Sequence, residues 1–181
     1  SSPAAEKLSM LHEGERVYTI TNGFDPEKMS DGKANLTSKF TITYTGQIYP
    51  RKQDPSKLLI ALRDLISHGI TNPKEVEVRF YGPKNEQLLK KIEEYGLLVA
   101  VKQYGIIPRE NSYKKQRESQ VLLLLNWEDS QEKGVYPGKI FEYLVAQRPI
   151  LATGGFGKDV VETLLNETNA GTYCLTMEDT K

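Results

Sequence analysis

Residues 121–155 read VLLLLNWEDSQEKGVYPGKIFEYLVAQRPILATGG, and their order decides the fold. The strand Val121–Asn126, apolar without a break through Leu125, has the pattern of a strand buried on both faces, which occurs where helices cover both sides of a parallel sheet. A polar loop follows, then a turn at Pro137-Gly138-Lys139 that opens a short helix, Lys139–Gln147. A second apolar strand, Pro149–Ala152, comes directly after it. Strand, loop, helix and strand in this order put the start of the helix at the carboxyl edge of a parallel sheet. Open α/β sheets take their ligands at that edge, and helix N-termini there attract phosphate.

Upstream the same alternation repeats. Phe40–Thr45 is a β-branched and aromatic strand closed by Gly46, and Asp54–Ser67 is an amphipathic helix with Leu58, Leu59, Leu62, Leu65 and Ile66 on one face. Val76–Tyr81 is a strand closed by Gly82, Glu86–Tyr95 a helix, Leu98–Tyr104 a strand closed by Gly105, and Arg109–Ser119 a polar helix. Downstream come a helix at Lys158–Asn166 and a last strand at Gly171–Leu175. His68, before Gly69, reads as the C-terminal cap of its helix. Six strands separated by helices with short loops predict a Rossmann-like, three-layer α/β/α parallel sheet with right-handed crossovers. Before it, Glu6–Glu13 reads as a short helix and Arg16–Ile20 as a strand. Asp25–Lys39 is nearly free of apolar residues and reads as a linker. The chain divides into a junction segment, 1–39, and a domain, 40–181.

Composition narrows the class. The 181 residues carry 24 Lys+Arg and 24 Asp+Glu, a formal net charge of +0, which argues against a nucleic-acid partner. A single cysteine, Cys174, excludes an internal disulfide and fits the cytoplasm. No apolar run approaches the roughly twenty residues that a bilayer demands. Two histidines and one cysteine make no metal cluster, and no Ser-His-Asp or Cys-His arrangement is credible.

The candidate chemistry is therefore charge and hydrogen bonding. Lys139 and Glu142 lie three apart and share a helix face. The backbone N–H groups of the first turn, with Gly138 and Lys139, would hold a diphosphate, and the two carboxylate oxygens of Glu142 would accept from vicinal hydroxyls. A solvated face with a weak Lys–Glu pair is the plainer reading of the same spacing. Gly46-Gln47 and the basic pair Arg51-Lys52 follow the first domain strand at the same edge. GVYPGK is not a P-loop: it is one residue short, and Ile140 stands where a magnesium-binding hydroxyl belongs. Gly154–Gly157 lacks dinucleotide spacing.

Taken together these segments resemble the C-terminal donor-binding domain of GT-B glycosyltransferases, closest to the large retaining group often called family four. The residues that carry the resemblance are Gly46 through Arg51-Lys52, Tyr81-Gly82, Tyr104-Gly105-Ile106-Ile107-Pro108, Pro137-Gly138-Lys139 with Glu142-Tyr143-Leu144, and Pro149-Ile150-Leu151-Ala152. VYTITNGFD, Val17–Asp25, is similar to the junction where the acceptor domain hands over to the donor domain. The resemblance covers Arg16 to about Cys174.

It implies transfer of a sugar from a nucleotide-sugar donor to a saccharide or lipid-linked acceptor, with retention and with neither metal nor cofactor. The acceptor would be bound by an N-terminal domain outside this chain, and peripheral membrane association would belong to the full-length protein. By the resemblance, Gly105 and Ile106 would hold the base, Glu142 the ribose, and Gly46, Gln47, Pro137, Gly138 and Lys139 the donor, while Arg51 and Lys52 would stabilise the departing diphosphate. Two positions depart from the pattern. Gln47 stands where the group usually has Arg, and Gly134 stands where the first of two glutamates spaced by seven residues belongs. Glu132 or Glu128 would have to replace that carboxylate. The alternatives are a non-catalytic nucleotide-sugar binding module and a nucleotide-sugar 2-epimerase on the same architecture.

Overall fold

The computed structural model describes residues 1–12, 14–24, 34–128 and 134–180. Six parallel strands form one sheet: β1 (Phe40–Thr45), β2 (Val76–Tyr81), β3 (Val101–Gly105), β4 (Val121–Leu125), β5 (Ile150–Thr153) and β6 (Gly171–Cys174). Their spatial order is β3-β2-β1-β4-β5-β6, the doubly wound order, so the chain reverses direction between β1 and β4. The helices are α1 (Ser2–Leu11), α2 (Ser56–Ser67), α3 (Glu86–Glu94), α4 (Arg109–Arg117), α5 (Lys139–Ala146), α6 (Val160–Thr168) and a single turn, α7 (Met177–Thr180).

Strand alternation sorts the side chains into two cores. Leu123 and Leu125 of β4 join Ile42, Tyr44, Val78 and Phe80 beneath α2 and α3. Leu122 and Leu124 point the other way, to Ile140, Tyr143, Val161 and Leu165 of α5 and α6. The apolar run in β4 is thus spent on both faces. The face of β1 toward α4 is not apolar. Thr41, Thr43 and Thr45 are all buried there. Thr43 meets the Ser119 hydroxyl at 2.7 Å, and the Gln116 amide donates to the Thr45 hydroxyl at 2.9 Å. Buried hydroxyls are tolerated because each finds a partner.

Within 40–181 the segments expected as strands and helices are found, with differences that have local causes. β3 begins at Val101 rather than Leu98, because the N–H groups of Ala100 and Val101 turn back to the Leu97 carbonyl. α6 begins at Val160 rather than Lys158, where the Asp159 carboxylate accepts from the Val161 and Glu162 N–H groups. His68 caps α2 as expected, its Nδ1 lying 2.7 Å from the Asp64 carbonyl. Arg16–Ile20 is not a strand. It has no strand beside it among the described residues, and Tyr18 and Ile20 are 73% and 90% exposed. Of the expected linker, residues 25–33 lie outside the described residues. Its far end is fastened to the domain: the Thr37 N–H donates to the Glu118 carbonyl at 2.9 Å and its hydroxyl to the Gln120 side-chain oxygen at 3.2 Å.

The centre of the sheet is also where it opens. β1 pairs with β4 through Ile42↔Val121 and Thr43↔Leu122 only, and toward the carboxyl edge the two strands part. Their released backbone groups are satisfied by side chains. The buried Thr45 N–H donates to the Tyr143 hydroxyl at 3.2 Å, and the Gln53 amide donates to the Leu125 carbonyl at 2.7 Å. Tyr143→Phe strands the Thr45 N–H and should lower unfolding stability in urea by about 1–3 kcal/mol. An unchanged midpoint would mean that this bond does not bridge the parting strands.

Candidate functional site

Two clefts meet at the opening between β1 and β4. One, of about 350 Å³, is lined by Thr45, Gly46, Gln47, Tyr81, Gly82, Pro83, Ile106, Ile107, Arg109, Ser112, Lys139 and Glu142. The other, of about 320 Å³, is walled by Tyr44, Tyr49, Trp127, Val135 and Tyr136 and carries Gln47, Gln53, Asn126, Pro137, Gly138 and Lys139. Gln47 and Lys139 belong to both, so the lysine stands on the partition between them.

The loops that end the strands are held close together. Gly46 has φ +123°, and a Cβ there would run into the Lys139 ammonium. Gly82, the next strand end, would drive a Cβ into the Gly46 carbonyl. These two glycines let the turns stack and let the lysine lie against backbone. The loop after Gly46 is pinned at several points. The Tyr44 hydroxyl donates to the Gln47 carbonyl at 2.8 Å, the Gln53 side chain accepts from the Tyr49 N–H at 3.1 Å, and the Glu128 N–H donates to the Lys52 carbonyl at 2.8 Å.

Lys139 is the first residue of α5, and its ammonium sits 5.1 Å from the centre of the Tyr44 ring. It makes no ion pair among the described residues. Burial pushes its pKa below the ordinary lysine value of 10.5, and the nearby Glu142 carboxylate offsets this only in part. The cation is therefore partly desolvated, and an anion entering either cleft would relieve that strain. Glu142 lies one turn along the same helix face. Its Oε1 receives Arg109 at 3.4 Å and its Oε2 faces the Gln116 amide at 3.5 Å.

The structure thus brings Gly46, Gln47, Ile106, Pro137, Gly138, Lys139 and Glu142 to the two clefts, with Gly105 at the strand end beneath Ile106. Lys52 holds its ammonium 4.2 Å above the Trp127 ring, at the wall of the aromatic cleft. Arg51, at φ 62°, lines a neighbouring cleft with Asp54, Lys91 and Glu128 instead. Gly134 packs against the N-terminal helix so tightly that a Cβ would strike the Pro3 side chain. Glu128 is exposed, and Glu132 lies outside the described residues. No group of three or more metal-ligating side chains occurs among the described residues, and no described helix is long and apolar enough to cross a membrane.

Sequence reading did not single out Gln116 or the Arg109–Glu142 contact, and it named Tyr143 within a motif without giving it a role. The signal was present: Arg109, Ser112 and Gln116 share one face of α4 at helical spacing, and that face is polar where an apolar stripe is expected.

No family model matches the sequence, and no curated protein matches it. Solved structures do match in fold. An S. aureus TarM mutant in complex with fondaparinux, alpha-GlcNAc-glycerol and UDP aligns over 99% of this chain and 34% of its own, at TM-score 0.69 and 12% identity. WaaG, a glycosyltransferase involved in lipopolysaccharide biosynthesis, aligns over 87% of this chain and 43% of its own, at TM-score 0.62 and 12% identity. Anabaena Alr3699/HepE in complex with UDP and glucose aligns over 85% and 43%, at TM-score 0.59 and 16% identity. The chain spans between a third and under half of the length of these proteins, and it has the Rossmann-like fold of a GT-B half.

The lysine gives a direct handle on the site. Its folded-state pKa lies below its unfolded value, so the charged form costs stability at neutral pH, and the cost vanishes as pH rises through the folded pKa toward 10.5. Lys139→Met should therefore unfold at higher urea than the parent at pH 7, with the difference closing toward pH 10.5. A difference independent of pH would show that the ammonium is fully solvated.

Proposed function

We propose that this chain is the donor-binding half of a glycosyltransferase, moving a sugar from a nucleotide-sugar donor to a saccharide or lipid-linked acceptor. The observation that carries the proposal is the Lys139 ammonium: partly desolvated, without an ion pair among the described residues, and standing between two clefts where the sheet opens. The likeness in fold to proteins solved with UDP supports the reading.

The cleft toward Gly82 and Ile106 takes the nucleoside. Its base rests by Gly105 and Ile106, and its ribose hydroxyls donate to Glu142. The diphosphate lies across the partition, against Lys139 and the backbone N–H groups that begin α5. The sugar enters the aromatic cleft, whose Trp127 and Tyr136 faces suit the apolar face of a pyranose. When the bond from the sugar carbon to the diphosphate oxygen breaks, negative charge grows on the leaving phosphate. Lys139, with Lys52 above Trp127, stabilises that charge, and a fixed cation in a desolvated site lowers the barrier more than it lowers the energy of the bound donor. Arg51 would act from the adjoining cleft. Transfer proceeds with retention and uses neither metal nor cofactor, and the acceptor is held by a further domain.

Gly134 favours a second reading. With Pro3 packed where an acidic side chain would stand, the chain would bind a nucleotide sugar without turning it over. Nucleotide release from UDP-, GDP- and ADP-sugars, measured on the protein with its acceptor domain, separates the two: sustained release supports transfer, and binding without release supports a sensor.

Calorimetric titration of the chain with UDP, GDP and ADP tests the binding itself. Lys139→Ala should weaken the tightest of the three by about 1–3 kcal/mol, the range for a charge-assisted hydrogen bond, and leave the matching nucleoside unaffected. A folded chain that takes up none of the three would end the proposal.

A further inference from the structure

Gln116 is a glutamine where a core side chain belongs. It is the buried residue of α4, 0% exposed, on a helix that otherwise reads RENSYKKQR. Its amide nitrogen, with two N–H donors, faces three acceptors: the Thr45 hydroxyl at 2.9 Å, the Ser112 hydroxyl at 3.4 Å and Glu142 Oε2 at 3.5 Å. Its oxygen is left buried with no hydrogen-bond partner among the described residues. A leucine or methionine would fill the same space without stranding an acceptor, which is costly in a dry site. The burden falls on one spot in the fold. Thr45 ends β1 and Glu142 lies in the first turn of α5, so the amide ties together the two elements whose loops frame the nucleoside cleft.

We propose that Gln116 is the positioning residue that fixes Glu142 for recognition of the ribose diol, and so sets the selectivity of the site for ribonucleotides. The inference rests on the proposed function, in which Glu142 meets the ribose. Glu142 offers two oxygens. Arg109, 71% exposed, reaches Oε1 from the solvent side, and Gln116 faces Oε2 from the buried side. The exposed arginine can swing away as a nucleoside enters; the buried amide cannot. Held from beneath, the carboxylate presents its remaining lone pairs to two neighbouring hydroxyls at the geometry a cis diol requires. Released from Gln116, it would rotate among its own rotamers, and the gain in affinity from the hydroxyls would fall.

The test compares a ribonucleotide with its 2′,3′-dideoxy analogue on the 181-residue chain. The probe is whichever of UDP, GDP and ADP binds the parent most tightly. Gln116→Met, close in volume and free of the stranded oxygen, should melt at or above the parent temperature yet bind the ribonucleotide about tenfold more weakly, the loss expected from a misplaced hydrogen bond to a charged group. Its affinity for the dideoxy analogue should stay within twofold of the parent's, so the preference for ribose collapses while the fold does not. Gln116→Glu keeps the shape but replaces the donor with an acceptor facing Glu142, and it should lose the same preference. Glu142→Ala is the control for the underlying reading. If Glu142→Ala abolishes the ribose preference and both Gln116 variants retain it, Gln116 is merely structural and the inference fails alone. If the parent shows no preference, or Glu142→Ala keeps it, the ribose assignment fails and takes the inference with it.

Discussion

Everything at the ligand edge follows from how β1 and β4 part company. They are neighbours in the sheet, yet the chain leaves β1 toward α2 on one face and β4 toward α5 on the other, and two register pairs are all that joins them. A parallel sheet that opens in its middle must do something with the backbone groups it releases. Here Tyr143 and Gln53 reach into the gap and satisfy Thr45 and Leu125. The strands are thereby held apart at fixed spacing, and the crevice has a rigid floor before any ligand arrives. The proposed diphosphate site would draw on that preorganisation, because charged groups that must first be gathered lose much of what they offer.

The polar seam between β1 and α4 extends the same logic. Its threonines, with Ser119 and Gln116, replace the apolar packing seen under α2, α3, α5 and α6. Hydrogen bonds are directional where apolar contacts are not. A helix seated by hydrogen bonds keeps one angle and one height on the sheet, and α4 is the helix that delivers Arg109 and Gln116 to the carboxylate of Glu142. The meeting of Arg109 and Gln116 with Glu142 thus depends on a stretch of the interior that looks wasteful by the standard of hydrophobic burial alone.

The sheet was legible because its signals are local. The unbroken apolar run in β4 and the alternation in β1 and β2 each announce a strand from within a few residues, and the leucine spacing of α2 announces a helix. The boundaries that moved did so for reasons that adjacent residues do not reveal: the turn at Leu97 that delays β3, and the carboxylate of Asp159 that starts α6. Arg16–Ile20 shows the converse, a β-branched, aromatic segment that reads as a strand but has no strand to pair with among the described residues. At the site, Lys139 and Glu142 could be paired from spacing, since they sit on one helix. Gln116 could not be connected to Glu142, because contacts between residues on different helices are set by how those helices cross. Arg51 and Lys52 were inseparable as sequence neighbours, yet the left-handed backbone at Arg51 sends the two cations to different clefts.

One close approach has a bearing on how this chain can change over time. The Lys139 ammonium fills the volume in which any side chain at position 46 would begin. A methyl group at 46 would have to displace the cation, and at φ +123° it would carry backbone strain even where a shorter residue at 139 left it room. The two positions therefore constrain each other unequally: shortening the lysine leaves the glycine in place, whereas any side chain at 46 must unseat the lysine.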